Sequence, residues 1–187
     1  LTVAFLSPIL GALADRGHLR RPLLIATTTV AVFGAVMLYF PLPGQITLAL
    51  TWFVISNVAF EMGNVFYNAY LPDIAPPEKI GRISGYGWGL GYLGGLLAMF
   101  IALFTLVQPE TPLFGFTKEA GQHIRATNLL VALWFGVFSL PMLFLIRDVQ
   151  PAVKPSRRAL LADSFGQLAR TFKEVRRYRQ IVRLLVQ

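Results

Sequence analysis

Four polar residues recur within one apolar run of this sequence. Asn57, Glu61, Asn64 and Asn68 stand at i, i+4, i+7 and i+11, so a helix places them on one face. Their neighbours are those of a hydrophobic span, where a charge at the bilayer centre costs on the order of +2.5–3.5 kcal/mol. A face of this kind belongs in a bundle interior or along a water-filled path. A carboxylate in such surroundings is suited to exchanging a proton. The plainer reading is that Glu61 hydrogen-bonds a neighbouring helix and fixes its packing.

The next apolar run carries glycines at helical spacing. Gly81, Gly85 and Gly89 are four apart, as are Gly87, Gly91 and Gly95, with Gly94 beside them and Ala98 and Ala102 continuing the line. Small residues at this interval let helices approach closely in lipid. Gly89 to Gly94 also fits G-x-G-x-x-G, but a dinucleotide site needs a preceding strand and an accessible helix start. Helix packing is the better account of the glycines. Tyr67, Tyr70, Tyr86, Trp88 and Tyr92 flank the turn between the two runs, where interfacial aromatics collect. Trp88 and Tyr92, four apart, are also placed to line a substrate path.

Enzymatic chemistry finds few residues. His18 and His123 fall in separate polar loops, no G-x-S-x-G occurs, and there is no cysteine for a nucleophile or a thiolate metal site. No cofactor and no metal are expected.

The elements that position these residues are membrane spans. Of 187 residues, 55% are hydrophobic and 14% charged, against roughly a quarter charged in soluble domains. A span needs roughly 20 apolar residues. Five runs qualify in whole or part, at about 1–13, 22–40, 46–70, 83–107 and 126–146. Together they predict an all-α, polytopic helical bundle over 1–146. Pro22 opens the second span, and Pro41, Pro43 and Gly44 turn the chain after it. Residues 147–180 read as a linker with an amphipathic helix. There Leu161, Phe165, Leu168, Phe172 and Val175 share one face, and basic residues lie largely away from it. Such a helix suits a membrane surface with anionic lipid, and a calmodulin-type target is the second reading. Residues 181–187 begin a further span. The chain starts and ends inside apolar runs, so a fragment of a longer protein is expected.

The net charge of +8 does not point to nucleic acid, because it is distributed as a topology signal. Segments 14–21, 71–82 and 147–187 hold fifteen of the Lys and Arg, and the loops between hold two. The positive-inside rule places the first set in the cytoplasm.

The stretch GALADRGHLRRP resembles the signature that joins helices two and three of the major facilitator superfamily. Gly11, Asp15, Arg16, Arg20 and Arg21 match it, with His18 where glycine is usual. FYNAYLPDIAPPEKIGRISGYGWGLGYLGG and LLVALWFGVFSLPMLFL are similar to the autophagy-related vacuolar effluxers and their bacterial relatives. The resemblance implies an incomplete major-facilitator-type bundle, helices two to six and the start of seven. The C-terminal bundle of the same protein would be its missing partner. It also implies alternating access around a midplane site, with Asp15 and Arg16 latching the cytoplasmic side through Arg82 or Asp73. The plainer reading is that these charges only orient the loops. Leu90 to Gly95 lacks the proline of the superfamily's antiporter signature, so that motif gives antiport no support. A bacterial cytoplasmic membrane and a small polar solute are expected, with amino acids as the nearest analogy. A membrane-embedded assembly module that carries no solute is the competing class. The cost of placing Glu61 in a span favours transport.

Overall fold

The computed structural model describes residues 19–146. The first apolar run, Gly11, Asp15, Arg16 and His18, the 147–180 linker with its amphipathic helix, and residues 181–187 lie outside them. Within the described residues every regular element is helical, and four helical segments are long and apolar enough to cross a membrane. This is an integral, multi-pass membrane protein.

Helix α1 runs Arg20–Met37 and α2 runs Ile46–Asn68. A short helix α3, Leu71–Ile74, begins the following turn, and Pro77–Lys79 adds one 3-10 turn. Helix α4, Ile80–Ala102, continues into a π-helical turn at Leu103–Val107, closed by the Gln108 amide donating to the Leu103 carbonyl at 2.8 Å. Helix α5 covers Gln122–Leu145. Pro22 falls in the first turn of α1, where its missing N–H removes no helical bond. Arg82 lies inside the first turn of α4, so the charged turn is shorter than its composition suggests.

Hydroxyl residues are accommodated in these apolar helices by bonding backward. Thr27 donates to the Leu23 carbonyl, Thr29 to Ile25, Thr51 to Thr47 and Thr105 to Ile101, at 2.6–2.8 Å. Each hydroxyl therefore enters the span with its donor satisfied. Pro141 sits inside α5, and there Ser139 bonds the Gly136 carbonyl one turn earlier.

Helix α1 is the centre of the bundle, packed by α2 on one side and α5 on the other. Its buried positions, Leu24, Thr28, Ala31 and Gly34, advance by four, three and three and so form one stripe. The tightest crossing is at Gly34. A Cβ there would stand 2.8 Å from the Ser56 Cβ and 3.1 Å from its Cα, and Ser56 Oγ donates to the Ala31 carbonyl at 2.8 Å. Nearer the start of α1, Gly63 leaves room for Thr27. Close backbone approach and an interhelical hydrogen bond are the devices that hold helices together where water exclusion cannot. At the start of α1, Leu24, Met62, Phe66 and Tyr70 form a buried cluster against Leu23, Val58, Met142, Leu143 and Ile146. Helix α4 packs loosely by comparison, and Leu90, Leu93, Phe138 and Leu145 expose large apolar side chains. Lipid is the solvent that such a surface fits.

Candidate functional site

The two ends of the bundle are chemically different. At one end the starts of α1 and α4 meet the ends of α2 and α5. Arg20 Nη1 lies 2.7 Å from Asp73 Oδ2 in an ion pair that ties the start of α1 to α3, and the Arg20 guanidinium also stacks over the Tyr70 ring at 5.9 Å. Arg21 reaches across to α5 and donates to the Leu143 carbonyl at 3.2 Å. That bond meets one of the carbonyls that the last turn of a helix leaves open. Arg82 bonds within its own helix instead, Nε to the Tyr86 hydroxyl at 2.8 Å. Of the described residues in the signature loop and its proposed partners, Arg20 and Asp73 are brought together and Arg82 stands apart.

At the other end Arg125, the fourth residue of α5, closes the end of α1. Its Nη1 donates to the carbonyls of Tyr39, Phe40 and Pro41 at 2.9, 3.3 and 3.2 Å, and its guanidinium lies over the Tyr39 ring. A cation at a helix C-terminus also faces the negative end of the helix dipole. Gln122 extends the contact, donating to the Tyr39 hydroxyl and accepting from the Thr117 amide and hydroxyl. Sequence reasoning assigns Arg125 only to a polar loop. The available signal is its place at the edge of an apolar run, where an arginine has carbonyls within reach.

The polar face of α2 lies on the side turned away from α1. Ala59, Met62 and Phe66 are buried toward the bundle, while Asn57, Glu61 and Asn68 are exposed and Asn64 is half-buried. Among the described residues nothing covers this face, so its place in a bundle interior or along a water-filled path rests on parts of the protein outside them. Successive residues turn by about 100°, so the side that packs on α1 cannot also carry these four. The face is open, and no hydrogen bond or ion pair joins Glu61 to a described residue.

On α4 the Trp88 and Tyr92 rings lie 6.1 Å apart at an interplanar angle of 37°, both well exposed. The glycine ladder is open as well. A Cβ at Gly81, Gly85, Gly89, Gly91 or Gly95 would meet no described atom within 4 Å. Gly87 is approached by the Tyr67 hydroxyl of α2 at 3.4 Å, and Gly94 by the Trp134 indole of α5 at 3.9 Å. No group of His, Asp and Glu among the described residues is arranged to hold a metal.

These features are those of a polytopic membrane bundle. A profile described as vacuole effluxer Atg22-like matches residues 1–81 and 76–187. The chain belongs to this Atg22-like effluxer family. An uncharacterized MFS-type transporter from Bacillus subtilis, YxiO, is 27% identical over 184 residues, 98% of this chain and 42% of its own length. Autophagy-related protein 22 of Saccharomyces cerevisiae is 26% identical over 141 residues, 62% of this chain and 25% of its own. An uncharacterized protein of Aquifex aeolicus is 26% identical over 84% of the chain and 36% of its own length. This Atg22-like chain thus spans well under half the length of these curated relatives. No solved structure matches it.

Proposed function

We propose that this Atg22-like chain forms part of a secondary transporter that moves a small polar solute across a membrane by alternating access. Amino acids are the leading solute class, by analogy with the vacuolar effluxers. The observation that carries the reading is the open face of α2, with Asn57, Glu61 and Asn68 exposed on an otherwise apolar span. A helix that only filled space in lipid would gain nothing from that face and would bear its insertion cost. The face is where a solute path would run, with Trp88 and Tyr92 as further candidates to line it.

The end that carries Arg20, Arg21, Lys79 and Arg82 is cytoplasmic in this reading, following the excess of basic residues. Arg20 and Asp73, with Asp15 and Arg16 of the signature loop, form the latch that opens and closes that side. The glycines of α4 serve a helix outside the described residues, and the missing C-terminal bundle of the protein supplies the other wall of the path.

The test is counterflow exchange. Proteoliposomes of the full protein, loaded with unlabelled amino acids, are given a labelled amino-acid mixture outside. Transient accumulation above that of empty liposomes is the expected result. Absence of exchange across all classes, with protein correctly inserted, would favour the assembly module instead.

A further inference from the structure

We infer that Leu113 and Phe114 form an anchor that enters the headgroup–acyl boundary of the bilayer at the Arg125 end of the bundle. The inference is independent of what the protein carries.

The segment between α4 and α5 has a pinned base and a presented tip. At the base, the Phe116 ring meets the Tyr39 ring edge-on, with centroids 6.1 Å apart. The Thr117 amide and hydroxyl donate to Gln122 Oε1 at 3.0 and 2.9 Å, and Gln122 Nε2 donates to the Tyr39 hydroxyl at 2.9 Å. The His123 amide adds a bond to the Thr117 carbonyl at 3.1 Å. These contacts hold the base at the level where α1 ends and α5 begins. The tip, a 3-10 turn at Leu113–Gly115, is turned away from them. Leu113 is 52% exposed and Phe114 87%, the latter the most exposed of the described large apolar side chains.

The backbone holds the ring out. Phe114 has φ +64° and Gly115 +74°. Glycine adopts that region freely, whereas a bulky side chain there is an outlier that persists only when its surroundings determine it. A strained aromatic that gains no cover from its own bundle calls for a partner outside it.

Depth selects lipid as that partner. Two residues separate Phe114 from Phe116, a reach of at most about 7 Å. The headgroup zone extends roughly 5–7 Å beyond the hydrocarbon core on each side. A tip tethered at the end of α1 therefore stays within that zone, where amphipathic and aromatic side chains are at home. Composition fits the same depth. Residues 111–117 carry no charge, and Glu110 and Lys118 bound them on the two sides with exposed charged groups. The lipid-facing surface of α4 also reaches this end, where the exposed Phe100 and Phe104 rings stack at 6.2 Å.

Spin labelling of the full protein in phosphatidylcholine vesicles tests the anchor, with any cysteine elsewhere in the protein replaced. A nitroxide at Leu113→Cys keeps Phe114 in place, and one at Lys118→Cys marks the polar flank. Power saturation compares collision with oxygen, which concentrates in lipid, and with a water-soluble nickel chelate. We expect oxygen to dominate at position 113 and the chelate at position 118. Phe114→Gly removes the ring and suits the positive φ, so the backbone is spared. It should lower the oxygen-to-chelate ratio at 113 several-fold and leave 118 unchanged. Chelate access at 113 equal to that at 118 would overturn the inference by placing the tip in water. Low access to both reagents would overturn it too, as the mark of a tip covered by the rest of the protein or a second copy. So would an unchanged ratio in Phe114→Gly. Oxygen dominance confined to vesicles containing phosphatidylglycerol would also contradict it, since the tip has no charge with which to select a headgroup.

Discussion

Arg20 and Asp73 are 53 positions apart in the chain and 2.7 Å apart in space, and their contact holds the start of α1 against the turn after α2. Both side chains are partly exposed, at 24% and 37%. Solvent screening limits such a pair to about 0–1 kcal/mol. Its importance is therefore positional. Asp73→Asn should lower the melting temperature only slightly while raising the reactivity of a cysteine placed at Ile74 toward a membrane-impermeant thiol reagent. The double exchange Arg20→Asp with Asp73→Arg should restore the low reactivity. Unchanged reactivity in Asp73→Asn would remove the pair from the latch.

The Gly34 crossing predicts a sharp contrast between glycines. Gly34→Val forces a side chain into Ser56 and its backbone, and overpacking of this kind costs about 1–3 kcal/mol. Gly89→Ala meets open space among the described residues, so in the full protein it should cost stability only through the outside helix that the ladder serves. Melting curves in detergent compare the two. A large loss in Gly89→Ala would show that another helix occupies the ladder.

Arg125 gives a third prediction. Arg125→Ala leaves the Tyr39, Phe40 and Pro41 carbonyls of the turn after α1 without this donor, a loss of about 1–3 kcal/mol for bonds to a charged group. Lysine has the charge but not the planar fork, so Arg125→Lys should recover only part of the stability. Protection of the 38–45 turn from protease reports on this end directly. Equal stability of Arg125→Ala and wild type would contradict the capping role.

Much of the architecture is legible in the sequence because lipid imposes a simple rule: long apolar runs become helices. The residues that join the helices are less legible. Gly34 and Ser56 are single small residues in apolar runs, and nothing in the sequence says which of many such residues will meet. The ladder from Gly81 to Gly95 is the louder pattern, yet the described close crossing is elsewhere. Periodicity shows that a face is suited to contact, and only tertiary structure shows which partner fills it. The Arg20–Asp73 pair is half visible. The signature loop marks Arg20, and Asp73 is one of two candidate partners for its neighbours. Arg82 is the other, and its hydrogen bond to Tyr86 one helical turn away removes it from the described contact. Asn57, Glu61, Asn64 and Asn68 stand out by spacing alone, because a hydrophobic helix rarely gathers four polar groups on one side without a use for them.

The central claim is that this face of α2 borders an aqueous solute path, and the absence of cysteine from the chain makes it directly measurable. Single cysteines at positions 57, 61, 64 and 68, and at the buried positions 62 and 66 as controls, would be exposed in membranes to a hydrophilic, charged thiol reagent. The account predicts reaction at 57, 61, 64 and 68 and protection at 62 and 66. Protection at all six positions would place the face against lipid or protein and contradict the account.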